Sequence, residues 1–233
     1  MSTLNFQKAT QGSSLNFSKD LGLDFSKGLG GNIMINLNWG TNERTRSVDI
    51  DLALAVVAGA KQNPTVSTEV KKAGFFGKLI GKKDETITTT TPAAGKSVKT
   101  LVHCFDKTGA RGDGIIHHGD DTSGSWADGE FIEIDVTKIG NSIQELIPSI
   151  LSYSGHELSD LPFAHMKVYV GSKNAVVKPL FEVDLTNLQR GDMGAQFGKL
   201  VRSGDSWEWT TDIKKTNVAG SRGFKALKEL AIK

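Results

Sequence analysis

From Ile33 to Trp39 the chain reads Ile-Met-Ile-Asn-Leu-Asn-Trp, large apolar residues interleaved with small polar ones. That period of two puts one set of side chains on each face of a strand. Ser47 to Leu54 repeats it with Asp49 and Asp51 on the polar side, and Gly40-Thr41-Asn42 supplies turn residues between the two runs. Further strands are predicted over 98–105, 114–117, 131–136, 166–171, 180–185, 197–203 and 207–212. Many short strands at close spacing predict an all-β fold, a β-sandwich of two antiparallel sheets. Helical signal is scarce. Ser142 to Leu151 reads as a short helix or strand limited by Pro148. Ser221 to Ile232 predicts a short C-terminal helix, because Phe224, Leu227, Leu230 and Ala231 share one face at helical spacing.

The 233 residues suffice for one sandwich domain with its own core. Residues 61–97 break the strand pattern. Basic residues from Lys61 to Lys83, then Thr86-Ile87-Thr88-Thr89-Thr90-Thr91-Pro92, read as a flexible insertion. Inside it, Gly74 to Lys83 mixes Phe75, Phe76, Leu79 and Ile80 with lysines. A membrane anchor would use this mixture, but the stretch is too short for firm helical periodicity and reads as a surface hairpin. The N-terminus carries no basic and apolar leader, and no apolar run approaches the roughly 18 residues a bilayer demands. A cytoplasmic protein is expected.

Charge alters this picture. The sum is only +2, from 28 basic and 26 acidic residues. Between Arg111 and Lys138, however, there is no Lys or Arg, while Asp113, Asp120, Asp121, Asp128, Glu130, Glu133 and Asp135 all fall there. Clustered carboxylates repel one another without a counter-ion. The run Gly119 to Glu130 supplies acids and the turn residues Gly124 and Gly129 just before a strand. Hard cations such as calcium want six to eight oxygens on such a bending loop. It is not an EF-hand, since a frame starting at Asp120 puts Ser125 where the glycine belongs and Phe131 where the bidentate Glu belongs. Asp49 and Asp51 add two carboxylates on one face of another strand.

Other chemistry is thinly represented. One cysteine, Cys104, excludes an intrachain disulfide and reads as a buried thiol. His117 and His118 are adjacent, so on a strand they face opposite ways and cannot chelate one ion. No nucleophile elbow, phosphate loop or dinucleotide fingerprint is present. No RNA-binding aromatic motif accompanies the dispersed basic residues, which argues against nucleic acid.

These residues resemble the TerD family of tellurium-resistance and stress-response proteins. The likeness runs through Val48-Asp49-Ile50-Asp51-Leu52, Gly114 to Gly124 with its Gly119-Asp120, and Asp128-Gly129-Glu130 with the strand to Asp135. It continues in Phe181 to Leu185, Gly198 to Arg202, Trp207-Glu208-Trp209 and the C-terminal helix. The resemblance implies a sandwich without known catalytic activity that binds calcium through Asp49, Asp51, Asp120, Asp128 and Glu130. It implies action through protein partners in cytoplasmic stress complexes near the inner membrane, with roles in tellurite and toxic-agent resistance or phage defence. A homo-oligomer is compatible with it. Family members show Gly-Asp-Asp-Glu where this chain has Ala127-Asp128-Gly129-Glu130. One carboxylate is missing, which leaves one or two of the family's two calcium sites. The residues alone also admit an assembly protein that uses the acidic loop as an interface, or a metal-dependent hydrolase.

Overall fold

The computed structural model describes residues 7–8, 11–23, 32–59, 65–71, 85–91, 95–105, 114–122, 129–172 and 174–233. Asp128 and the Gly74 to Lys83 segment lie outside the described residues. The strands are β1 (Gln7–Lys8), β2 (Ser14–Asn16), β3 (Asn32–Trp39), β4 (Ile50–Ala58), β5 (Thr65–Lys71), β6 (Glu85–Thr91), β7 (Ser97–Val102) and β8 (Ile115–His117). They continue with β9 (Glu130–Ile134), β10 (Ile143–Ser152), β11 (Ala164–Ser172), β12 (Ala175–Asp184), β13 (Gly194–Gln196), β14 (Lys199–Ser203), β15 (Ser206–Thr210) and β16 (Lys214–Thr216). One helix, α1 (Gly220–Ala231), follows.

The main unit comprises residues 1–58 and 98–233. Its first sheet has the order β1-β12-β11-β3-β9-β8. Neighbours are antiparallel except β1 and β12, which run parallel. The second sheet centres on β10, which pairs β4 along one edge and both β14 and β13 along the other. β7 pairs β4, β15 pairs β14, β16 pairs β13, and β2 pairs β15.

The alternation read from the sequence decides the core. Ile33, Ile35, Leu37 and Trp39 of the first sheet join Ile50, Leu52, Leu54 and Val56 of the second in one buried cluster. The other face of β4 carries Ala53, Ala55 and Val57, which pack with Leu151, Phe224 and Leu227. These small residues let α1 lie against the outside of the second sheet. Gln196 fixes it there, donating from Nε2 to the Leu227 carbonyl at 2.8 Å.

The segment over 142–151 resolves as strand β10, ten residues long. Proline in a central strand is unfavourable because it removes a ladder donor. Pro148 is tolerated because β14 pairs Glu145 and Leu146 while β13 pairs Ser149 to Leu151. Its missing N–H falls at the junction of two partner strands.

A separate unit covers residues 59–97. Composition suggested a loop here, but β5 and β6 pair antiparallel from Thr65↔Thr91 to Lys71↔Glu85. Threonine, valine and isoleucine stiffen the backbone toward extended structure, which outweighs the polarity of the run. Among the described residues no helix is long and apolar enough to cross a membrane.

Candidate metal centre

Four segments meet at one place: the start of β4, the residues after β7, the turn after β8 and the first residue of β9. They bring together Asp51, Cys104, Asp120 and Glu130, with one ligand atom from each within 4.8 Å of the others. Asp51 and Glu130 are 0% exposed, whereas Asp120 faces solvent.

Glu130 ties the two sheets together. Its Oε2 accepts from the Leu52 N–H at 2.5 Å and its Oε1 from the Asp121 N–H at 3.3 Å. His117 completes the clip, with Nε2 3.1 Å from the Leu52 carbonyl. The Gly119 N–H donates to His117 Nδ1. Both ring nitrogens are thus engaged, and Nε2 also lies 3.7 Å from Glu130 Oε2. Both backbone polar groups of one residue in the second sheet are thus held by side chains of the first. His118 faces the other way, on the surface, beside Glu133 at 2.9 Å, as adjacent strand positions require.

The electrostatics are those of crowded anions. Burial, then the Coulombic effect of Asp51 and Asp120, raises the Glu130 carboxyl to about 9 despite its two backbone donors. Asp51 is raised to about 7, by burial first and by Asp49 and Asp120 as like charges; its bond from Cys104 works against this. The Cys104 thiol donates to Asp51 Oδ1 at 2.7 Å. Burial and the surrounding carboxylates push that thiol far up. Asp49 is raised by burial and by Asp120 and Asp121.

Asp49 lies half-buried beside the cluster rather than among its four closest donors. Its N–H donates to Ser154 Oγ at 3.0 Å and its carbonyl accepts from the Tyr153 N–H at 2.9 Å. Asp49 Oδ1 and Asp51 Oδ2 are buried with no hydrogen-bond partner. Of the residues read from the sequence, the structure brings together Asp51, Asp120 and Glu130, with Asp49 adjacent. Cys104 and His117 are additions. The order of strands within each sheet places them here, and spacing along the chain carries no trace of that order.

Gly129 also gains a reason. Its φ is +44°, and a Cβ there would lie 2.4 Å from the Leu37 carbonyl and 2.5 Å from Asn38 Nδ2. The chain enters β9 too close to β3 for any side chain, so an acid could not occupy this position. Gly129→Ala should destabilise the protein by about 2–4 kcal/mol, measurable by urea denaturation, because strain and a backbone clash add.

Among solved structures, the chain is similar to a protein of unknown function, SAV2460. The identity is 14%, with 82% of this chain and 93% of that chain covered and a TM-score of 0.55. It is also similar to SCO6318, a homologue of telluride resistance protein (TerD) from Streptomyces coelicolor A3(2). There the identity is 13%, the coverage 83% and 95%, and the TM-score 0.57. No family model matches the sequence, and no curated protein matches it. At such low identity the likeness is one of architecture, and over most of both chains it makes this a divergent TerD-like fold.

Proposed function

We propose that the protein is a non-enzymatic module that binds a divalent cation, calcium in the first instance, through Asp49, Asp51, Asp120 and Glu130. Asp51 Oδ2 carries this reading: it is an oxygen of a fully buried side chain with no hydrogen-bond partner, in a centre of like charges. Among the described residues no Lys or Arg ion pair reaches Asp49, Asp51, Asp120 or Glu130. Buried carboxylates of this kind either keep their protons or take a counter-charge. Oxygen donors on a rigid sheet end and an exposed turn suit a hard cation. When bound, the ion would supply positive charge that locks the turn after β8 onto β4 and β9.

The similar protein SCO6318 is a homologue of a telluride resistance protein. In keeping with it, we place the protein in cytoplasmic stress protection, tellurite resistance or phage defence, acting through protein partners at the inner membrane. The cation would set the shape of the surface those partners meet. In the experiment that tests this reading, calcium raises the melting temperature of the wild type by about 5–10 °C at a hundredfold excess over the dissociation constant. Asp120→Ala should lose most of that shift, since it removes one ligand from an exposed turn. An equal shift in both proteins would refute the assignment.

A further inference from the structure

Cys104 is the one thiol of the chain, and the fold sets it inside the carboxylate centre. Its Sγ and one oxygen each from Asp51, Asp120 and Glu130 lie within 4.8 Å of one another. Cys104 is 3% exposed and the side chains of Asp51 and Glu130 are fully covered, so the exposed Asp120 marks the solvent side. The sulfur's hydrogen bond to Asp51 Oδ1 leaves Oδ2 of that carboxylate buried and unpartnered. Calcium takes six to eight oxygens and gains little from sulfur, whereas three oxygens and one sulfur complete the coordination of a borderline, four-coordinate cation. Tetrahedral bonds of about 2.0–2.3 Å separate donors by about 3.3–3.8 Å, inside the 4.8 Å within which the four atoms lie.

We propose that this centre takes a thiophilic divalent cation of the zinc class, with Cys104 Sγ as fourth ligand beside Asp51, Asp120 and Glu130. The inference rests on the cation-binding reading above and concerns which cation the site prefers. On ligation the S–H bond breaks, sulfur keeps the electron pair and shares it with the cation, and the proton leaves to solvent past Asp120. A dication inverts the local charge balance that otherwise holds the proton on sulfur. His117 stays outside the ligand set, because Leu52 and Gly119 occupy its two nitrogens.

Cadmium is the probe, because a thiolate bound to it absorbs in the ultraviolet by charge transfer and this chain has a single thiol. Titration of the intact protein with cadmium, in a non-thiol reductant, should raise that band to saturation at one ion per chain. Asp120→Asn, at an exposed position, should shift the midpoint by about tenfold or more. Calorimetry on the same samples separates the outcomes. Cadmium or calcium binding without the band overturns sulfur ligation and leaves the carboxylate centre standing. A band whose midpoint is unchanged in Asp120→Asn puts the metal outside the centre and overturns the inference. No binding of either ion overturns the inference together with the reading beneath it.

Discussion

Freed of divalent ions, the protein should lose thermal stability as pH rises from about 4 to 9, and calcium should suppress that loss. The sign follows from which state holds protons more tightly. Folding raises Glu130 from 4.5 to about 9 and Asp51 from 3.8 to about 7. Between their unfolded and folded values the native state binds more protons than the unfolded chain, so stability falls with rising pH. Below about pH 4 both groups are protonated in both states and impose no penalty. Above about 9 both are ionised in both states, and the penalty is complete. The combined effect is on the order of several kcal/mol, since each tenfold change in proton affinity is worth about 1.4 kcal/mol. This is opposite to the usual carboxylate, which is stabilising when ionised. A bound dication would reverse it, because ionised Glu130 and Asp51 would then face positive charge. Melting curves from pH 4 to 9 in chelator and in calcium measure both slopes. Parallel curves would refute the coupling.

Glu130→Gln should raise the stability of the ion-free protein at pH 8 by roughly 2–4 kcal/mol while abolishing its response to calcium. Glutamine keeps the length of the side chain and one oxygen for the Leu52 N–H, and carries no proton that unfolding would release at pH 8. Its amide nitrogen cannot accept from Asp121, which offsets part of the gain. Glu130→Ala removes the same carboxyl but should fall below Glu130→Gln in stability. It strips the acceptor from a buried backbone donor and opens a cavity between the sheets, costing about 2–4 kcal/mol. The gap between two substitutions that both remove the carboxyl separates its ionisation from the packing and hydrogen bonds of the side chain. Chemical denaturation in chelator at pH 8 reads both.

Period-two alternation made β3, β4 and β9 legible, because each buries one face against the opposite sheet and a slip of one residue would invert it. The C-terminal helix was legible for the same reason at helical spacing. Pro148 obscured β10, since the gap that tolerates it exists only once β13 and β14 are placed end to end. The threonine run hid β6, because its composition is that of a loop while its branching favours a strand. At the site, the absence of any basic residue from 112 to 137 pointed to Asp120 and Glu130. Asp49 and Asp51 came from their shared strand face. Cys104 read as a buried thiol, which it is, but its partner Asp51 was not legible, because their approach depends on β7 lying beside β4. Gly129 read as a lost ligand; the close passage over Leu37 shows that the backbone itself requires glycine there.

Whether the buried carboxylates form a calcium site is tested most directly by calorimetric calcium titration of the chelator-treated, intact protein at pH 8. The expected result is saturable binding, within the range of protein calcium sites from sub-micromolar to millimolar, that Asp120→Ala weakens by at least about tenfold. No binding at millimolar calcium, with a melting temperature that calcium leaves unchanged, would contradict it.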